Sequence, residues 1–228
     1  MAKLIENYML YLHILAGFTA LVAGLVSIIV QKGKKWHRKS GKLYFMAMTV
    51  VFITGVYVAG VRNNKFLFAI AFLSYYSAFA GVRSLKLKQL HNHQKPKWYD
   101  WFAGLLNAIV NVAFTVLGIY LLVVKSNIIG FIMCVGFGIG GLSISYTNLK
   151  PFIVQPKKAN HWYLAHIGNM MGAYIATFTA FLSTMVARYE LMNPFLAFAL
   201  PSIIGIPLLL YYQKRISEKT SLKKNRHA

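Results

Sequence analysis

The chain has 228 residues, 57% of them hydrophobic and 13% charged, with a formal net charge of +21. Charges gathered in short blocks between long apolar runs exclude an ordinary water-soluble domain and a disordered chain, and leave a membrane protein. The single cysteine, Cys134, excludes an intramolecular disulfide.

Seven apolar runs follow in chain order: Tyr8–Val30, Leu43–Val61, Phe66–Val82, Trp101–Val124, Ile128–Tyr146, Trp162–Val186 and Pro194–Tyr212. None contains Asp, Glu, Lys or Arg. About 20 such residues, rising about 1.5 Å each, cross the hydrocarbon layer as a helix. The alternation of a β-barrel strand is absent. The first run is too long for a signal-peptide core and passes straight into "QKGKKWHRKSGK", so it reads as a retained anchor.

Lysine and arginine alternate between the connections. The segments after runs one, three, five and seven hold 20 of the 25, and the N-terminus with the remaining connections holds 5. Cytoplasmic loops carry the excess of basic residues, so the N-terminus is expected outside and the C-terminus in the cytoplasm. The expected fold is an all-α, seven-transmembrane helical bundle: one domain over residues 1–213, followed by a short basic cytoplasmic tail over 214–228. The same count explains the net charge through topology, with anionic lipids at the cytoplasmic face as partners and no nucleic acid.

Small residues recur along three runs: Gly17 and Gly24; Gly136, Gly140 and Gly141; and Gly168, Gly172 and Ala176. These read as packing seams. Pro201 and Pro207 fall within run seven, where each removes a backbone donor. Trp36, Trp98, Trp101 and Trp162 all fall at expected cytoplasmic ends, as interfacial anchors do.

Polar side chains inside the runs are costly and face inward. Counted from the cytoplasmic face, Asn107 and His166 lie at one depth, with Asn111 and Asn169 a turn deeper. Asn107 and Asn111 share a helix face with Gly104 and Thr115. Tyr146, Ser143, Tyr76, Ser77 and Arg83 reach a similar level. Each asparagine alone reads as an interhelical hydrogen bond. Together the groups point to a polar pocket in the cytoplasmic half, walled by runs three to six, with His166, Asn169, Asn107, Asn111, Tyr146 and Arg83 as ligand-binding candidates.

Of the seven histidines, His13 alone lies in the outer half, which excludes an outer-leaflet bis-histidine haem. Its plainer reading is a hydrogen bond to a hydroxyl such as Thr54 or Ser183. His91, His93, His161 and His166 are candidate ligands for a cytoplasmic-side haem or transition metal, since imidazole suits iron, zinc and copper. The five-residue spacing of His161 and His166 turns them about 140° apart on a helix, so they share a metal only if His161 precedes the helix. Otherwise His161 is an interfacial cap, and Asp100 caps the fourth helix.

"LHILAGFTALVAG" and the following "WHRKSGKLYFMAM" resemble an uncharacterised family of bacterial polytopic membrane proteins known only as a domain of unknown function. The likeness rests on Leu12, His13, Ala16, Gly17 and Gly24, then His37, Arg38, Gly41, Lys42 and Tyr44. It implies a bacterial inner (cytoplasmic) membrane protein and makes His37 and Arg38 candidates for headgroup or ligand contact, with capping of the second helix as the structural alternative.

Three function classes remain open. A binding protein would hold a lipid headgroup, a quinone-like molecule or haem in the pocket. A transporter would lack intramembrane carboxylates and would rely on His166 to relay protons. A metal-dependent hydrolase would resemble the seven-span ceramidase and adiponectin-receptor type in span count and orientation alone, since their paired histidines stand four apart.

Overall fold

The computed structural model describes residues 2–191 and 193–225. Among the described residues seven α-helices make up the fold: α1 (Ala2–Ile29), α2 (Lys35–Val61), α3 (Lys65–Ser84), α4 (Trp98–Val123), α5 (Ile128–Ile153), α6 (His161–Tyr189) and α7 (Pro194–Asn225). One short 3-10 turn, Leu90–Asn92, lies between α3 and α4. Six helices, α1 to α6, are long and apolar enough among the described residues to cross a membrane. The protein is therefore a membrane protein with multiple spanning helices. Large apolar side chains on its outside, such as Ile29, Val123 and Ile153 at 74–75% exposure, are what lipid would cover.

Several helices outrun the apolar runs that announced them. α2 starts at Lys35, within the basic stretch, so His37 and Arg38 occupy its first turns rather than a loop. α5 continues to Ile153, and α7 continues through the basic segment to Asn225. Lysine and arginine are good helix formers, and a helix entering an interface needs no apolar side chains there to keep its ladder. His227, placed in the tail from sequence, lies outside the described residues.

Two antiparallel hairpins and a central pair organise the bundle. In the first hairpin Ser27 Oγ meets Ser40 Oγ at 2.7 Å near the connection, and His13 Nδ1 meets Thr54 Oγ1 at 3.0 Å far from it. Thr54 is thus the hydroxyl that satisfies His13; Ser183 turns to its own helix at Ala180 O. At the other end of that hairpin Arg62 bonds Glu6 at 2.8 Å. In the second hairpin α4 and α5 close on glycine. A Cβ on Gly118 would stand 2.8 Å from Val135, and one on Gly138 would overlap the Thr115 hydroxyl.

α3 packs against α6 at the centre, and α6 also touches α1 and α7. The apolar core between α1, α2, α3 and α6 is built of Ala20, Ala23, Tyr44, Met48, Ala78 and Ala173. Small residues there let backbones approach, which is how helices associate where burial from water supplies no drive. Gly24 faces the Tyr174 ring and Gly168 faces Gln213, whereas Gly17, Gly136, Gly140 and Gly172 face open space within 4 Å. Only part of each expected seam is therefore used in packing.

Candidate functional site

Polar side chains do concentrate at one end of the bundle, where α1, α3 and α5 finish and α2, α4 and α6 begin. They form four separate constellations rather than one ring.

The first is internal to the α4–α5 hairpin. Asn107 and Asn111 are 1% and 0% exposed. Asn107 Nδ2 donates to Ser145 Oγ at 2.8 Å and to Gly141 O at 3.2 Å. Asn111 Nδ2 donates to Asn107 O at 2.7 Å. Asn111 Oδ1 lies over the position where Gly141 lacks a side chain, leaving it the weak Cα–H donor of that glycine. These amides hold two helices together, and neither lines the cleft between α3 and α6 described below. Tyr146 also departs from expectation: it is 62% exposed on the outer surface, with Lys150 Nζ 5.3 Å from its ring centre. Its neighbour Ser145, 2% exposed, is the α5 residue that points inward.

The second constellation is an amide pair between α5 and α6. Asn148 Nδ2 donates to Asn169 Oδ1 at 2.9 Å, and Asn169 Nδ2 returns a bond to Asn148 Oδ1 at 2.8 Å. Asn169 is thus engaged by a partner that sequence reasoning missed. Asn148 sits just beyond the apolar run, and its place on an extended α5 was the available signal.

The third is ionic. Arg83 Nε donates to Asp100 Oδ1 at 2.5 Å and Nη2 to Oδ2 at 2.9 Å. Oδ2 also accepts the Lys97 N–H at 2.9 Å, so Asp100 does cap α4. The charge of Arg83 is spent on this carboxylate rather than held for an anion. Arg83 and Asp100 line a cleft walled by α3 to α6, together with Tyr76, Asn148 and His161. Its volume is about 50 Å³, room for a few waters. Sites for small-molecule ligands run to about 300–1,000 Å³, so a quinone-like molecule or haem does not fit there.

The fourth is a histidine pair, and it joins residues far apart in sequence. His37, in the first turn of α2, and His166, in the second turn of α6, stand with ring centres 6.3 Å apart at an interplanar angle of 81°. His37 Nδ1 donates to Ser27 O at 3.0 Å, and His166 Nδ1 donates to Gly81 O at 2.8 Å. A carbonyl only accepts, so both Nδ1 atoms carry the proton and both Nε2 lone pairs stay free. A backbone carbonyl behind Nδ1 is the arrangement that orients a metal-ligating histidine. Gly81 makes the approach feasible, because Met170 Sδ lies 2.7 Å from where its Cβ would be. Met170 follows His166 by one turn on the same face.

The other proposed metal ligands do not gather around His166. His91 and His161 rings are 5.7 Å apart, but His161 directs Nδ1 to Lys158 O and Nε2 to Leu87 O, each at 3.1 Å. With both nitrogens facing carbonyls, His161 ties the start of α6 to the α3–α4 connection rather than capping helix N–H groups. His91 Nδ1 donates to Lys88 O at 3.1 Å, and His93 Nδ1 accepts from Gln155 Nε2 at 2.7 Å. No group of three His, Cys, Asp or Glu that could hold a metal occurs among the described residues. Arg38 Nε donates to Gly33 O at 2.9 Å, closing the α1–α2 connection instead of reaching the histidines.

No curated protein and no solved structure matches the chain. A family model described as "Predicted membrane protein (DUF2306)" matches residues 10–144, from α1 into α5. With more than half of its length matched, this chain belongs to that family of membrane proteins, a domain of unknown function.

Proposed function

We propose that all seven helices cross a bacterial inner membrane, with the N-terminus outside, and that His37 and His166 bind a transition-metal ion in the cytoplasmic half. The apolar stretch Pro194–Tyr212 of α7 and the alternating basic connections support the topology. The observation that carries the site is the pair of imidazoles, each with Nδ1–H held by a carbonyl and Nε2 unspent. Two rings that share one ion through Nε2 at about 2.0–2.1 Å hold their centres about 5–6.5 Å apart, and 6.3 Å lies in that interval.

Two nitrogens, with no cluster of further His, Cys, Asp or Glu ligands among the described residues, favour a soft ion of low coordination number, such as cuprous copper. Hydrolysis draws less support, because it needs a third ligand and a base, and the sole aspartate is committed to Arg83 and Lys97. Transport draws less support because no carboxylate lies within the seven apolar runs to couple it to protons.

The full-length protein, purified in mild detergent under reducing conditions, is titrated with cuprous ion against a colorimetric chelator. About one ion per chain is expected, falling to background in His37→Ala and in His166→Ala. Binding by the unaltered protein no greater than that of a variant carrying both His37→Ala and His166→Ala overturns the reading, as does a haem Soret band.

A further inference from the structure

On the outer face of the first hairpin α1 and α2 part to leave an apolar groove of about 430 Å³, which neither His37 nor His166 lines. Phe18, Val22 and Val26, spaced four apart, form one wall along α1. Leu43 and Trp36 form the other along α2, and the buried Ala23 makes the floor. The wall on α1 runs about 12 Å along the helix. A groove of that length and volume takes one aliphatic chain better than a compact ligand.

Its mouth is basic. Lys39 lines the groove beside Trp36, where the apolar walls give way to the charged start of α2. Among the described residues, Glu6 pairs with Arg62 and Asp100 with Arg83, and no carboxylate pairs with Lys39. Two other cations of this connection are engaged by backbone: Lys32 donates to the carbonyls of Ser27 and Ile28, and Arg38 to Gly33 O. The ammonium of Lys39, the lysine that lines the groove, stands at the end of an acyl-sized channel next to Trp36, which matches the order of parts in a phospholipid.

We propose that this groove is a specific site for an anionic phospholipid of the leaflet that meets the basic end, with one acyl chain along Phe18–Val26 and its phosphate on Lys39. The site is independent of the histidine pair.

The test is native mass spectrometry of the full-length protein, released from mild detergent with equimolar dioleoyl phosphatidylglycerol and dioleoyl phosphatidylethanolamine. One phosphatidylglycerol per chain is expected, preferred about fivefold, the ratio one basic side chain supplies near a surface. Lys39→Glu abolishes the preference, Val22→Trp fills the groove and removes the bound lipid, and Lys88→Glu, on another connection of the same end, changes neither. Equal retention of the two lipids by the unaltered protein overturns the proposal. So does a preference that survives Lys39→Glu, or one that Lys88→Glu lowers as much.

Discussion

Arg83 and Asp100 meet through two parallel contacts, Nε to Oδ1 and Nη2 to Oδ2, with Asp100 3% exposed and its Oδ2 also capping α4. The guanidinium further lies 4.8 Å from the centre of the Tyr99 ring. Removing one member leaves the other charge without its partner in a largely buried place. Asp100→Asn is expected to cost about 3 kcal/mol, while Arg83→Met with Asp100→Leu recovers much of it, because apolar replacement of a buried pair is often neutral. Thermal unfolding in detergent of the three variants measures this; a single variant as stable as the unaltered protein would contradict it.

Gly141 and Asn111 cannot both carry side chains. A Cβ on Gly141 overlaps the Asn111 amide, whereas one on Gly136 or Gly140 meets nothing within 4 Å. Gly141→Ala should destabilise by about 1–3 kcal/mol, the range for overfilling a packed interior. Gly136→Ala and Gly140→Ala should stay within about 0.5 kcal/mol. Adding Asn111→Ala to Gly141→Ala should relieve part of the penalty, a coupling that a double-mutant cycle reads directly.

The Asn148–Asn169 pair offers a cleaner measure of one interhelical contact. Each amide both gives and receives. Asn148→Leu and Asn169→Leu should show a coupling of about 0.6–1.7 kcal/mol, the span found for polar contacts between membrane helices. Additive losses would mean that each asparagine serves only its own helix, through Ile144 O and Ala165 O.

His13 is a control for the metal reading. Its bond to Thr54 places it toward the end of the hairpin that Arg62 and Glu6 close, away from His37 and His166. His13→Ala should lower stability by about 1 kcal/mol and leave the number of bound ions unchanged. Loss of the ion in this variant would implicate a site other than the one proposed.

Topology can be read with reporters. A fluorescent protein fused after Ala228 should light up in the cytoplasm, and alkaline phosphatase fused in the α6–α7 connection should be active outside. Two fusions on the same side would remove α7 as a seventh span, and the reverse pattern would invert the proposed orientation.

The helices were legible because twenty apolar residues in a row have one economical structure in lipid. Their ends were not: Lys35–Lys42 carries no apolar signal yet forms the start of α2, so His37 looked like a loop residue. Depth could be counted from the sequence, but direction around the helix could not. Tyr146 and Ser145 differ by one step of about 100°, enough to send one outward and the other onto Asn107. The face shared by Gly104, Asn107, Asn111 and Thr115 was correctly grouped, and what it packs against was missed, since no spacing rule says which helix will meet it. The same gap hid the His37–His166 pair, whose members sit on α2 and α6, helices far apart in the chain that the shared core of α1, α2, α3 and α6 brings together.

The division of these contacts among hairpins bears on how the chain is assembled at the ribosome. The amides of Asn107 and Asn111 find their donors and acceptors within α4 and α5, so that hairpin can dock as soon as it leaves the insertion machinery. Gly81 O must wait for His166, 85 residues downstream, and Asn148 for Asn169. A chain released before α6 would therefore hold a finished hairpin beside an open seam, a form that membrane quality control can recognise and degrade.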